Sequence, residues 1–302
     1  MLAWSTRAAW VALAAFAVHC ANAPAPTRDT AKPPLENTPM DIPLWPATGS
    51  AKLRVIFPQR ESPKPRPALV VFRGGAYATS SGSGAGSAEW LADQGIVGVE
   101  VPYRTQSSGD AYPASYADAA RAVRLLRSRA AELNVDPARI GVLGYSAGGH
   151  LASLLSTRPS LFLDPADDLA PQVSARPDLV VLAYPLISFV DQYAPGAFVG
   201  SVDNFFGRRD VGEAERREFS NELHVERGDP PVFIWTTRDD SLVPYTHSQL
   251  FAEACRRVDV PVELWLFPHG PHGLGLALGD STEVGGWTQQ LLVWLGRNWG
   301  AF

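Results

Sequence analysis

Short runs of β-branched and aromatic residues alternate along this chain with segments whose apolar positions recur at helical spacing. Strands are predicted at Leu53–Phe57, Ala68–Phe72, Ile96–Tyr103, Arg139–Gly144, Leu179–Tyr184, Val232–Thr237 and Val262–Phe267. Between them, Ala119, Val123, Leu126, Ala130 and Leu133 trace one face of a helix over Pro113–Leu133, with Arg121 and Arg124 on the opposite, solvated face. Further helices are expected at Ser87–Gln94, Ala147–Thr157, near Val211–Phe219, at Tyr245–Val258 and from about Glu283 to Trp299. On the last of these, Trp287, Trp294 and Trp299 share helical spacing with Leu291 and Leu295, the mark of core packing. This alternation implies a mainly parallel sheet covered by helices on both faces. Functional groups in such sheets gather on loops at the carboxyl ends of strands, so the loops after Phe72, Tyr103, Gly144, Tyr184, Thr237 and Phe267 carry the interest.

The amino-terminal residues follow a different pattern. Arg7, the apolar run Ala8–Val18 and the small residues Ala21-Asn22-Ala23 read as a signal peptide over residues 1–23, with alternative cuts after Ala17 or Ala25. The apolar run is too short to span a bilayer. Cys20 raises a lipoprotein alternative, which His19 before it disfavours. Residues 24–40, rich in Pro, Thr, Ala and Lys, read as a disordered tether, and residues 41–302 as one domain. The chain is therefore expected in the periplasm or secreted. With 26 basic and 31 acidic residues it has no electrostatic footprint for nucleic acid. Of its two cysteines, Cys20 is expected to leave with the signal, and Cys255 lies in an apolar helical stripe as buried filler.

The sharpest chemical signal is Gly144-Tyr145-Ser146-Ala147-Gly148-Gly149, directly after a predicted strand and opening a predicted helix. A serine in G-x-S-x-G in that context occupies a tight turn that lifts its hydroxyl clear of the sheet, with glycines where neighbouring backbone must approach. Ser146 is the candidate nucleophile. The following helix aims its amino end at the site, making the Ala147 N–H a candidate oxyanion donor. His150, four residues on, is expected to serve as a structural hydrogen-bonding group.

A serine hydroxyl needs a general base and a carboxylate to orient it. His272 lies at the far end of the loop Pro268–Gly273 after the last strand and is the candidate base, with His269 as a rim residue or alternative. Asp239 or Asp240 tops the strand Val232–Thr237. After the strand Ala68–Phe72 the chain reads Arg73-Gly74-Gly75-Ala76-Tyr77, which permits close backbone approach, so Gly75 or Ala76 is the expected second oxyanion donor. Arg73, Tyr77 and Tyr145 flank these groups as candidate substrate contacts. The Ser/Gly-rich stretch Thr79–Ser87 is either a mobile lip over the site or a passive surface loop. No phosphate-binding motif or metal-ligand spacing is present, Asp167-Asp168 having no partners nearby in sequence, and no cofactor or metal is expected.

These residues carry a resemblance to the α/β-hydrolase superfamily, and within it to the bacterial acetyl-xylan and feruloyl esterase-like group of small secreted esterases. The matching stretches include Ile42-Pro43-Leu44-Trp45-Pro46, Ala88-Glu89-Trp90-Leu91, the serine motif, Ser220-Asn221-Glu222-Leu223, Thr236 to Pro244 and Phe267 to Gly275. The resemblance implies an α/β-hydrolase fold, Asp240 as the acid of a triad with Ser146 and His272, and removal of acetyl or aromatic acyl groups from plant cell-wall sugars. Two departures stand out: Arg73 replaces the usual Pro or His before the glycines, and the Ser/Gly stretch replaces the usual His-Glu-Gly. The expected substrate is a small-molecule or oligosaccharide ester, foremost acetylated xylan. A general short-chain carboxylesterase or feruloyl esterase is the alternative; a prolyl-oligopeptidase-type peptidase or a non-catalytic binding module fits less well.

Overall fold

Alternating burial along each strand explains how the sheet is covered. In β3 (Arg66–Phe72), Ala68, Val70 and Phe72 face one hydrophobic cluster, while Leu69 and Val71 face another. Period-two strands buried on both sides need a layer on each face. The computed structural model describes residues 38–46, 51–190 and 199–302. The signal peptide and nearly all of the tether expected from the sequence lie outside them.

Among the described residues, eight strands form one sheet in the order β1-β2-β4-β3-β5-β6-β7-β8. β1 (Met40–Pro43) and β2 (Lys52–Ile56) are antiparallel to each other, and β2 is antiparallel to β4 (Val97–Glu100). From β4 onward every pairing is parallel, through β3, β5 (Val135–Tyr145), β6 (Val180–Ala183), β7 (Val232–Thr237) and β8 (Val262–Phe267). On one face lie α2 (Ala114–Ser128), α3 (Ala147–Thr157) and α6 (Thr246–Arg257), which bury Val123, Leu126, Leu151, Leu155, Phe251 and Cys255. On the other lie α1 (Ser87–Asp93) and α7 (Trp287–Trp299), contributing Leu91, Trp287, Leu291, Trp294 and Leu295. Each such large side chain contributes about 1.5–3 kcal/mol by leaving water. Cys255 is fully buried, and burial pushes its thiol pKa up to about 12, so it is packing rather than chemistry.

Several elements differ from the sequence reading. β1 begins at Met40, inside the span read as tether, because Met40 pairs with Val55 and Ile42 with Leu53. α4 (Val199–Phe206), which lacks a long apolar stripe, was not foreseen. The helix expected near Val211–Phe219 is the short α5 (Glu213–Glu218). The largest correction concerns Arg121 and Arg124, which are buried rather than solvated. Distant segments cover that face of α2. Asp167 accepts from Arg124 at 2.8 Å and also pairs with Arg121, which reaches Asp168 at 2.7 Å. The Arg121 guanidinium also lies 4.8 Å from the centroid of the Trp45 ring, whose Nε1 donates to Asp118 at 2.6 Å. The acid pair at 167–168 thus neutralises buried arginines.

Candidate active site

The serine is presented by the junction of β5 and α3. Ser146 has φ 53° and ψ −118°, a backbone state that side-chain-bearing residues adopt only when their surroundings impose it. The imposition comes from the flanking glycines. A Cβ on Gly148 would lie 2.1 Å from the Phe72 carbonyl oxygen, and one on Gly144 would lie 2.3 Å from the Gly148 oxygen. Only glycine lets β3, β5 and the first turn of α3 come this close. At the start of α3 the Gly149 and His150 N–H groups donate to the Ser146 carbonyl.

The loops after β7 and β8 bring the other two groups to this turn. His272 Nε2 is 2.8 Å from Ser146 Oγ, and His272 Nδ1 is 2.7 Å from Asp240 Oδ2. Asp240 Oδ1 accepts the Leu242 and Val243 N–H groups, both at 2.9 Å. Its carboxylate side chain is fully buried and that of His272 is 12 % exposed. A carboxylate offers only acceptors, so Nδ1 carries the imidazole proton and the Nε2 lone pair faces the serine hydroxyl. The histidine loop is anchored at two further points: Thr237 Oγ1 donates to the Gly270 carbonyl at 2.6 Å, and Asp239 accepts the Gly270 N–H at 2.7 Å. Of the two acids that sequence reading left open, Asp240 thus meets His272. Asp239 pairs instead with the exposed His269.

Ser146 and His272 open into a pocket of about 380 Å³ whose other walls include Gly75, Ala76, Ser83, Ser201 and Val243. Gly75, Ala76 and Tyr77 all have positive φ (139°, 55° and 56°). This loop is held by ties on several sides: Gly75 O accepts from Ala78 and Thr79, Asn204 Nδ2 donates to Ala76 O at 3.0 Å, and Tyr77 OH lies 2.8 Å from His150 Nδ1. Among the described residues, the N–H groups of Gly75, Ala76 and Ala147 donate to no acceptor, as donors reserved for a developing oxyanion would. Asn204, Ser201 and Val243 escaped sequence reading; the i, i+3 spacing of Val202 and Phe205 is the trace that α4 leaves in the sequence.

Three candidate substrate contacts are corrected. Tyr77 is buried among Tyr103, His150 and Phe205. Tyr145 is buried with its hydroxyl 2.8 Å from Ser87 Oγ, because its position on β5 sends it into the sheet's covered face rather than the pocket. Arg73 spends its guanidinium on Glu100 at 2.8 Å and on the carbonyls of Ser81 and Gly82. His150 has the structural place expected of it. Its Nε2 donates to the Phe219 carbonyl at 2.8 Å, its Nδ1 accepts from Tyr77, and burial drives its pKa down to about 3. His247, at the start of α6, accepts the Ile187 and Ser188 N–H groups at Nδ1, and burial lowers its pKa to about 4. Among the described residues, no group of three or more His, Cys, Asp or Glu could hold a metal ion, and no helix is long and apolar enough to cross a membrane.

A serine after β5, an acid after β7 and a histidine after β8, in that chain order and geometry, are the arrangement of the α/β-hydrolases, and fold and site assign the chain to that class. Within it, the chain belongs to the BD-FAE family, whose model matches residues 53–255. It is 30% identical over 232 residues to an acetylxylan esterase of Xylanibacter ruminicola, covering 75% of this chain and 44% of that protein. Over 174 residues it is 36% identical to endo-1,4-beta-xylanase B of Butyrivibrio fibrisolvens, covering 57% of this chain and 26% of that one. The chain therefore spans less than half the length of either curated relative. Among solved structures, an acetyl ester-xyloside bifunctional hydrolase from Caldicellulosiruptor lactoaceticus superposes with a TM-score of 0.75 at 36% identity, over 87% of this chain and 97% of that one. The propionate-bound esterase Est2 of Thermogutta terrifontis gives 0.74 at 28% identity, over 89% and 97%.

Proposed function

We propose that this chain is a serine carboxylic-ester hydrolase that removes acetyl groups from plant cell-wall carbohydrate, acetylated xylan or xylo-oligosaccharides, through an acyl-enzyme. The observation that carries the reading is the continuous hydrogen-bonded line from Ser146 through His272 to Asp240, opening into a pocket of about 380 Å³. Ser146 Oγ attacks the ester carbonyl as His272 Nε2 takes its proton. Asp240 holds the imidazole in the required tautomer and stabilises the imidazolium that forms. The N–H groups of Ala147 and of Gly75 or Ala76 receive the oxyanion, each worth ~10²–10³ in rate. His272 then returns the proton to the sugar oxygen as it leaves. Water, activated by the same histidine, attacks the acetyl-enzyme and releases acetate.

The likeness to an acetylxylan esterase and to an acetyl ester-xyloside hydrolase supports the carbohydrate, and the small pocket supports the short acyl group. The likeness to the Thermogutta esterase favours a second reading, a general short-chain carboxylesterase with the same machinery. Acetate release from acetylated xylo-oligosaccharides, set beside p-nitrophenyl acetate and butyrate, separates the two. Higher kcat/KM on the sugar esters supports the first reading; activity confined to the aryl esters overturns it. Ser146→Ala is expected to lower turnover by ~10³–10⁶ while the protein stays folded, and an active alanine variant refutes the mechanism. Export to the periplasm or medium belongs to the same proposal, on the strength of Arg7, the run Ala8–Val18 and Ala21-Asn22-Ala23. Fractionation of a bacterial host followed by amino-terminal sequencing tests it: protein confined to the cytoplasm with Met1 intact overturns export.

A further inference from the structure

A second concavity, of about 670 Å³, lies outside the pocket that holds Ser146. One wall is α1 and the turn before it, including Glu89, Trp90 and Asp93; the other is the segment 274–280, including Leu278 and Asp280. Both walls continue segments that line the first pocket. Gly82 and Ser83 lead into α1, and His272 and Gly273 lead into 274–280. The two segments meet where Gly275 approaches the backbone nitrogen of Gly84 and donates its N–H to the Tyr184 hydroxyl at 2.8 Å. A chain-like ligand with one unit over Ser146 can therefore lay its neighbours against this groove.

The lining narrows what that ligand is. Trp90 packs one side of its half-buried indole on the core, and its Nε1 has no partner among the described residues. Leu278 leaves 62 % of its surface in water and lines the same groove as Trp90. The remaining chemistry is acidic: Glu89 and Asp93 are exposed without ion-pair partners among the described residues, and Asp280 binds Thr282 with one oxygen, leaving the other open. Among the described residues, no Lys, Arg or His lines the groove. Carboxylates accept hydrogen bonds and repel anions. An apolar face ringed by acceptors fits a neutral molecule with C–H faces and many hydroxyl donors, and rejects a uronate.

We propose that this groove is an auxiliary subsite for the uncharged main-chain sugars of xylan, holding the polysaccharide beside the unit being deacetylated. The inference rests on the carbohydrate-esterase reading above. Its stacking platform is Trp90, and its hydroxyl acceptors are Glu89, Asp93 and Asp280. Two consequences follow: efficiency rises with the length of the sugar chain, and glucuronate-decorated chains gain less than plain ones.

The test compares kcat/KM on p-nitrophenyl acetate, acetylated xylobiose and acetylated xylohexaose for the full chain and for Trp90→Ala. The wild type is expected to favour the hexaose over the biose by roughly tenfold, the scale of one aromatic stacking contact. Trp90→Ala removes most of that gain and leaves p-nitrophenyl acetate within about twofold, which also reports that the variant is folded. Leu278→Ser and Glu89→Gln, at exposed positions, repeat the measurement should Trp90→Ala not fold. Deacetylated xylohexaose titrated calorimetrically into Ser146→Ala, with and without Trp90→Ala, reads binding apart from chemistry. Equal efficiency on biose and hexaose, or a length gain that survives all three groove variants, overturns the subsite while leaving the esterase reading intact. Failure to cleave any acetylated sugar, with p-nitrophenyl acetate still turned over, overturns the carbohydrate reading instead. In that case absence of xylohexaose binding overturns the subsite too.

Discussion

Acidification is expected to destabilise this protein in part through two buried histidines that take no part in the proposed chemistry. His150 is held neutral between Tyr77 OH and the Phe219 carbonyl, and burial lowers its pKa to about 3; burial lowers that of His247 to about 4. In the unfolded chain both return to about 6.5. Between pH 6.5 and the folded values the unfolded state therefore binds more protons, and stability is lost as the pH falls. The loss starts near pH 6.5 and is complete for each group only below its folded pKa. At pH 5 each histidine is about 1.5 units below its unfolded pKa, which costs about 2 kcal/mol apiece, or about 4 kcal/mol together. Glu222 and Asp229 act with the opposite sign, because burial raises their pKa values and the folded state takes up their protons first. Urea unfolding at pH 7.5 and pH 5.0, on the wild type and on His150→Gln, isolates the histidine because contributions common to both proteins cancel. Glutamine keeps a donor for Phe219 and an acceptor for Tyr77 but cannot charge in this range. The variant is expected to lose about 2 kcal/mol less than the wild type between the two pH values, with an unchanged denaturant slope. Equal losses in the two proteins would refute the assignment of a neutral, proton-refusing His150.

Three further outcomes are expected. Asp240→Asn keeps an oxygen for the Leu242 and Val243 N–H groups but presents an amide to His272, so kcat should fall by about 10⁴ with little change in melting temperature; steady-state kinetics on p-nitrophenyl acetate checks it. Gly148→Ala places a Cβ 2.1 Å from the Phe72 carbonyl and should give insoluble or inactive protein, which expression and circular dichroism will show. Arg124→Leu leaves Asp167 with one fewer cation in a buried cluster and should cost about 3–5 kcal/mol in denaturant unfolding, with kcat of the folded fraction unchanged.

What the sequence discloses about the site follows from how local each signal is. The serine turn is written in six consecutive residues, because strand, tight turn and helix start must adjoin for the hydroxyl to be presented. His272 and Asp240 could be placed from the positions of their loops after strands, although choosing between Asp239 and Asp240 needed the family resemblance. Distance in the chain hides the rest. Arg121 and Arg124 read as solvated because nothing in α2 announces that Trp45 and Asp167, 76 and 43 positions away from them respectively at the nearest pairing, fold across that face. Adjacency to reactive residues suggests Tyr77 and Tyr145 as substrate contacts, yet backbone geometry turns both side chains into the packed interior. Asn204 lies on a helix whose short apolar pattern is too weak to predict, so its hold on the Ala76 carbonyl is visible only in three dimensions.

The two departures from the family pattern prove to be one device. A Ser/Gly loop has little side-chain packing of its own and a high entropic cost of ordering. Arg73 replaces that missing packing. Its guanidinium bonds the Ser81 and Gly82 carbonyls and anchors on Glu100 at the end of β4, while the Gly74 N–H donates to Ser83 O and the Gly82 N–H returns to Gly74 O. The planar fork of arginine suits this work, since it reaches two carbonyls and a carboxylate at once. The pair is partly exposed, so its Coulomb energy is small, and its effect is geometric rather than electrostatic. Gly82 and Ser83, held in this way, form a wall of the pocket that contains Ser146, and the same loop then delivers Trp90 to the second groove. A residue that its sequence neighbours suggest as a substrate contact therefore acts on the walls of the pocket instead. The arginine shapes one wall of the entrance, and the groove beyond it carries the carboxylates of Glu89, Asp93 and Asp280.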